Sequence, residues 1–261
     1  MSRWARRRQR RLFIIIGVLI ALFLGIVIFS LTNKPETCFD NIQNGSETGM
    51  DCGGSCQTVC TEEAHDIVVW WERPFKVARG VYNIVAYFEN QNLNAGMKDL
   101  TYEFRLYDQN NVLVSQPVVG TTFVEPNKRS AIFESGIQTG EAEAYTVFFK
   151  TSTSQKWEKI DDTYAYNLFR VGEPVLTNQD VAPKLQAPIK NVSYKTFYDV
   201  PIIAIVYNQE GNAIASSRTY IDEIGQGADA DAYFSWPEPF TESVARIEII
   251  PRVDPFMDSR V

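Results

Sequence analysis

The sequence predicts an all-β protein: two β-sandwich domains carried behind an N-terminal transmembrane helix and a small disulfide-rich module. Three observations predict it. A charge-free apolar stretch of twenty residues follows an arginine-rich start, and all four cysteines fall within 23 residues soon after it. The rest of the chain is short apolar runs broken by Asn, Gly, Pro and Asp, with little helical periodicity. A hydrophobic content of 45% in 261 residues supports packed cores and excludes a chain disordered throughout. Six of the 25 basic residues are arginines within positions 1–11, so the remainder carries 19 bases against 32 acids. Such a body repels phosphate, and nucleic acid is set aside as a partner.

Residues 1–11 read as a basic cytoplasmic tail and 12–31 as the transmembrane helix. Sixteen of the twenty residues from Leu12 to Leu31 are Leu, Ile, Val or Phe. A helix of that length spans about 30 Å of hydrocarbon. Arg3, Arg6, Arg7, Arg8, Arg10 and Arg11 precede it and only Lys34 follows closely. The positive-inside bias therefore leaves the N-terminus in the cytoplasm and everything after about Thr32 outside. A cleaved signal peptide is the rival, but this apolar stretch exceeds the usual length and no A-x-A-type site follows. Gly17, Ala21 and Gly25 share one helix face, along which two copies could approach as a homo-oligomer.

Residues 32–61 read as a cysteine-rich neck, with Cys38, Cys52, Cys56 and Cys60 spaced by thirteen, three and three residues. Outside the membrane an even, clustered set reads as two disulfides, with three pairings open. Four thiolates also suit zinc, but the Cys-x2-Cys knuckles of zinc sites are missing. The segment from Cys38 to Cys56 resembles a small cysteine-rich module common in secreted and surface proteins, with the pattern C-x-D-x3-N-x2-E-x3-D-C-G-G-x-C. Its oxygen-bearing positions are Asp40, Asn44, Glu47 and Asp51. They are spaced either as a loop that wraps calcium or as Asx-type turns that bond their own backbone. Ile42 stands where an EF-hand needs an oxygen, so the loop is not an EF-hand.

Residues 62–158 read as a first sandwich, 159–171 as a connector and 172–261 as a second sandwich with a C-terminal tail. Leu100, Tyr102, Phe104 and Leu106 alternate with polar neighbours, the mark of a strand buried on one side, and Tyr107–Val112 supplies a hairpin turn. A shift of one hundred positions finds Val200, Ile202, Ala204 and Val206, followed by the turn Tyr207-Asn-Gln-Glu-Gly-Asn. Asn90 precedes Tyr107 much as Asn191 precedes Tyr207, and Phe133 follows much as Phe234 does, which reads as an internal duplication. Both copies resemble the FxLYD-type domain, a seven-stranded immunoglobulin-like sandwich of extracytoplasmic proteins. Phe104-Arg-Leu-Tyr-Asp108 matches the strand that names it, and Ala204-Ile-Val-Tyr-Asn208 departs from it at both ends. The resemblance implies surfaces that bind partners and no shared catalytic site. Each domain is large enough to fold alone.

Chemistry is sparse. His65 is the single histidine and sits in an acidic linker. Nucleophile-elbow, zinc-protease, phosphate-loop and dinucleotide motifs are missing. Asp161-Asp162, Asp222-Glu223 and Asp229 with Asp231 are the densest carboxylate groups, and a hydrolase would need one such pair in a cleft. Asn44-Gly-Ser and Asn191-Val-Ser match the N-glycosylation triplet. Trp70, Trp71 and Trp236 are candidate ligand contacts if exposed and core or interdomain residues if buried. The expected function is a non-catalytic, single-pass adhesion, scaffold or envelope-assembly component of the cell membrane. It has no cofactor beyond the calcium reading, and its partners are the bilayer and an extracytoplasmic protein or glycan. The alternatives are a glycan- or peptidoglycan-binding module and a carboxylate-dependent hydrolase.

Overall fold

The computed structural model describes residues 3–32, 37–152, 155–160 and 167–257, in two compact units, 1–56 and 57–261. In the first unit α1 (Arg3–Thr32) contains Phe13–Ser30, a window long and apolar enough to cross a membrane and not buried within the protein. The neck, 37–56, has no helix or strand. Its turns are held by the Cys38–Cys56 disulfide and by side chains bonding backbone.

The second unit is β throughout. β1 (Val68–Ala78), β2 (Val81–Asn90), β3 (Ala95–Tyr107), β4 (Val118–Val124), β5 (Lys128–Gln138), β6 (Thr146–Thr151) and β7 (Glu158–Lys159) build the first sandwich. β8 (Phe169–Val171), β9 (Val175–Thr177), β10 (Lys184–Asn191), β11 (Phe197–Tyr207), β12 (Ala213–Ile224), β13 (Asp229–Ser235) and β14 (Arg246–Pro251) build the second. The strands pair antiparallel in the orders β4-β3-β6, β1-β2-β5, β12-β11-β14 and β13-β10-β8. Val59 N–H donates to Trp157 O at 2.9 Å and Lys159 N–H to Gln57 O at 2.8 Å, so residues 57–60, assigned to the neck from the cysteine pattern, close the first sandwich. Phe169–Val171, from the expected connector, pairs with β10.

These four sheets stack through three cores rather than forming two separate sandwiches. Phe88, Leu100, Phe104, Leu106 and Trp157 fill the first sandwich, and Leu185, Ile189, Ile202 and Phe234 the second. Between them Phe75, Val85, Tyr87, Ala131 and Phe133 of the β1-β2-β5 sheet meet Ile203, Ile205, Tyr207, Ala213 and Ile250 of the β12-β11-β14 sheet. A sheet covered on both faces needs apolar side chains at successive positions, and Ile84–Phe88 and Ile202–Tyr207 are each unbroken buried runs.

The duplication holds at two landmarks and slips at a third. Asn90 Nδ2 donates to Ala95 O and Glu125 O, both at 2.8 Å, and Asn191 Nδ2 donates to Lys195 O, Ile224 O and Gly225 O. Asp108 Oδ1 accepts Asn110 N–H and Val112 N–H, and Asn208 Oδ1 accepts Glu210 N–H and Asn212 N–H, which is the same hairpin turn. Phe133 and Phe234 are not equivalent. Phe133 pairs with Val85 and faces the middle core, whereas Phe234 pairs with Leu185 and faces the inside of its own sandwich. A slip of one residue exchanges the two faces of a strand, and the counterpart of Phe133 is the exposed Tyr233.

The middle core joins unlike sheets of the two copies, and such a head-to-tail contact does not close on itself. The outer faces end it chemically. Where β11 and β14 carry Ile203, Ile205 and Ile250, the equivalent places on β3 and β6 are Glu103, Arg105 and Lys150. Where β2 and β5 carry Val85, Tyr87 and Ala131, β10 and β13 carry Gln186, Pro188 and Asp231, all exposed. Polar outer faces on terminal repeats halt a stack in this way.

Candidate functional site

Asp51 is the centre of the neck. Its Oδ1 accepts Asp40 N–H at 3.0 Å and its Oδ2 accepts Asn41 N–H at 2.9 Å. Asp40 Oδ1 accepts Ile42 N–H at 3.0 Å, and Asp40 Oδ2 accepts Asn44 Nδ2 at 3.1 Å. Glu47 Oε2 accepts Asn44 N–H at 3.2 Å and Asp51 N–H at 3.3 Å. All four residues named from the sequence therefore meet in one network, in which the carboxylates of Asp40, Glu47 and Asp51 satisfy turn backbone and Asn44 enters as a donor. Asn44 Oδ1 has no hydrogen-bond partner.

All four cysteines are in disulfides, Cys38 with Cys56, and no cysteine is free. Among the described residues one group with metal-ligand proximity forms, Cys38, Glu47 and Cys56, within 4.8 Å. Both of its sulfurs belong to that disulfide, so it offers a cation one carboxylate and no thiolate. Gly54, at φ +51°, lies so close to Ser46 O that a Cβ would overlap it at 1.6 Å. Only glycine closes this loop.

The three tryptophans named from the sequence do not converge. Trp71 is half-buried in the middle core, stacked on Tyr87 with centroids 5.3 Å apart and edge-on to Tyr207 at 6.5 Å. Trp236 packs against the core of the second sandwich and edge-on to Phe240 at 5.1 Å. Trp70 alone of the three is 53% exposed. It sits at a bulge of β1, its Nε1–H donates to Glu89 Oε2 at 3.0 Å, and the Arg129 guanidinium lies 4.8 Å over its ring.

Two polar clusters cross the middle core, and neither was named from the sequence. Tyr87 OH donates to Glu248 Oε1 at 2.7 Å and Tyr207 OH to Glu248 Oε2 at 3.0 Å, while Arg246 binds the same Oε2 at 3.0 Å and lies 3.8 Å over the Tyr207 ring. Burial first, and the Glu248 carboxylate second, push both phenols above their ordinary range. At the other end Arg252 of the second sandwich is buried against the first. Its Nη2 donates to Phe123 O at 2.6 Å and its Nη1 to Thr122 Oγ1 at 3.1 Å, and Nε lies 3.8 Å from Glu125 Oε2. Glu125, also buried, accepts Lys128 Nζ at 2.7 Å, and Lys128 reaches Pro251 O at 3.1 Å. Burial lowers the pKa of Arg252, and Glu125 opposes that shift.

An open groove between the sandwiches is bordered by Glu72, Phe75, Tyr145, Glu210, Asn212 and Glu242. Burial raises the Glu72 pKa. Arg73, on its floor, is held by Ala213 O at 3.3 Å and Asn212 Oδ1 at 3.1 Å. The groove is bordered by carboxylates and amides, and none of its lining residues is His, Cys or Ser.

The remaining candidates lie apart. His65 has an exposed side chain and a backbone clamped by Asn92 at 2.8 and 2.7 Å. Asp222 and Glu223 are exposed, and Asp161-Asp162 lie outside the described residues. Asp229 and Asp231 share the outer face of β13, where Lys190, 3.5 Å from Asp229, offsets their repulsion. Asn191 is fully buried with its Nδ2 engaged, so its triplet is no glycan acceptor in the folded protein. The Gly17, Ala21 and Gly25 face of α1 is open, with nothing within 4 Å of a Cβ added at either glycine.

Comparison with known proteins gives no assignment. No family model matches, and no curated protein matches. Among solved structures the chain is similar to a red sea bream transglutaminase at 8% identity and TM-score 0.27, over 71% of this chain and 29% of that one. It is also similar to a beta-glucuronidase from glycoside hydrolase family 2 at 11% identity and TM-score 0.20, over 79% and 25%. A third is the C-terminal globular domain of an oligosaccharyltransferase from Pyrococcus abyssi, at 10% identity and TM-score 0.18, over 71% and 46%. The chain spans less than half the length of each.

Proposed function

We propose that this chain is a single-pass membrane protein, N-terminus in the cytoplasm, whose double sandwich serves outside as a rigid, non-catalytic scaffold or adhesion element of the cell envelope. The observation that carries this reading is the middle core: ten buried residues from both sandwiches fuse them into one four-layered body. A catalytic hinge-and-cleft design would keep such domains free to move. The arginine tail and the apolar helix support the orientation. The FxLYD resemblance of Phe104–Asp108 agrees with a binding role.

Protease added to intact cells tests the topology, and it is expected to remove the C-terminal portion while sparing an N-terminal tag; protection of the C-terminus refutes the reading. In-cell cross-linking with the full chain then tests the scaffold role, with a defined larger complex expected. A chain that stays monomeric under cross-linking at its native level refutes that role. Glycan or peptidoglycan binding remains a second reading because Trp70 is exposed on the surface. Loss of glycan retention on Trp70→Ala would support it, and no retention by the unaltered chain would end it.

A further inference from the structure

The neck is built inside out. Residues 37–56 contain three large apolar side chains, Phe39, Ile42 and Met50, and they are 83%, 54% and 63% exposed. The interior is occupied instead by the Cys38–Cys56 disulfide, the buried Gly53 and the hydrogen bonds of Asp40, Glu47 and Asp51. The Asp51 clamp brings Met50 close in space to the segment that carries Phe39 and Ile42, because Asp51 Oδ1 binds Asp40 N–H at 3.0 Å and Oδ2 binds Asn41 N–H at 2.9 Å. A single exposed apolar residue needs no explanation, but a small module that turns all of its large apolar residues outward is a candidate contact surface.

The chain itself says what that surface meets. The helix ends at Thr32 and Cys38 follows six residues later. At about 3.5 Å per residue, whatever their conformation, those residues tether the neck within about 20 Å of the helix end. The headgroup layer beside the hydrocarbon is only about 5 to 8 Å deep, so it lies inside that reach. Aromatic and aliphatic side chains gain from entering it. The carboxylates of the neck already accept backbone N–H groups, and the neck offers no lysine or arginine between Thr37 and Cys56, so anionic headgroups find no counter-charge.

We infer that Phe39, Ile42 and Met50 form a lipid-contacting foot that rests in the interfacial layer of an uncharged outer leaflet beside the helix. The inference rests on the reading of the helix as a retained membrane span.

The test uses the full chain reconstituted in phosphatidylcholine vesicles with Phe39→4-benzoylphenylalanine. Irradiation is expected to give lipid adducts on this position, found by mass spectrometry, and at least as many as in vesicles that include phosphatidylserine. Adducts with protein alone, or none, overturn the foot. A companion variant, Phe39→Ser with Ile42→Ser and Met50→Ser, removes no buried side chain. It is expected to make the neck several-fold more susceptible to protease in vesicles, and an unchanged rate counts against the foot. Alkaline carbonate extraction of the same vesicles separates the two readings. Release of the chain refutes the membrane span and the foot together, whereas a retained chain without lipid adducts refutes the foot alone.

Discussion

Tyr87 of the first sandwich donates its hydroxyl to Glu248 of the second at 2.7 Å, and Tyr207 approaches the other oxygen of the same carboxylate at 3.0 Å. One carboxylate thus ties a strand of each sandwich across the middle core. Both phenols are pushed above their ordinary value near 10. Tyr102 is too, by burial and then by Glu134. The sign follows from linkage. An unfolded tyrosine loses its proton near pH 10 while the folded one retains it, so stability is fully present below pH 10 and falls as pH rises beyond it. Thermal unfolding between pH 8 and 11 should show the midpoint dropping from about pH 10. Tyr87→Phe with Tyr207→Phe should flatten that drop, and an unchanged slope would contradict the coupling.

Arg252 and Glu125 are both buried, they come from different sandwiches, and Lys128 joins them. Removal of Glu125 leaves the Arg252 charge in a low dielectric without its carboxylate, which costs about 3 to 5 kcal/mol, whereas removal of both is far milder. Glu125→Gln should lower the unfolding free energy on that scale, and Arg252→Met, which leaves Glu125 paired with Lys128 but Phe123 O without its donor, should lower it by less. The double variant should recover part of the loss, as a positive coupling in a denaturation cycle. Additive losses would mean that the two groups act independently.

The one-sided strands were legible in the sequence, since Leu100 to Leu106 alternate as a half-buried strand must, and so was the helix. The stack of four sheets is not predicted by the alternation of one-sided strands. Its signal is in Ile202–Tyr207, where apolar residues run without alternation, so that Ile203, Ile205 and Tyr207 need a covered face as much as Ile202, Ala204 and Val206 do. The equivalence of Phe133 and Phe234 failed because spacing in a duplicated chain carries no sign of which face a residue takes once one residue is gained or lost. Glu125, Lys128 and Arg252 were invisible for a different reason. Burial of a charge is decided by a contact made across more than a hundred residues, and nothing local to Glu125 or Arg252 marks it.

Asn191 Nδ2 donates to three backbone carbonyls, and Asn191 Oδ1 accepts Ser193 N–H at 3.0 Å and Ser193 Oγ at 2.7 Å. Each buried backbone group left without its partner costs about 1 to 3 kcal/mol. Asn191→Ala should therefore destabilise the protein by at least that much in chemical denaturation, and Asn191→Asp, which exchanges donors for acceptors, should be as severe. A glycosylating host should leave Asn191 unmodified when the membrane-extracted chain is analysed by mass spectrometry. A glycan on Asn191 of correctly folded protein would show that the burial is wrong.

Ile203, Ile205 and Ile250 are buried only because the first sandwich covers them, so a second sandwich produced alone, residues 167–257, would expose all three on one sheet face. Size alone predicts that each sandwich folds by itself, but an uncovered apolar face of this kind promotes association. The isolated piece is expected to fold as β-sheet and to self-associate at micromolar concentration in sedimentation velocity. Ile203→Glu with Ile205→Arg copies what the first sandwich carries at the equivalent Glu103 and Arg105 on its own outer face. That pair should return the isolated sandwich to a monomer, and in the full chain it should split thermal unfolding into two transitions. An isolated sandwich that stays monomeric without the pair would show that the middle core is a loose contact rather than a shared interior.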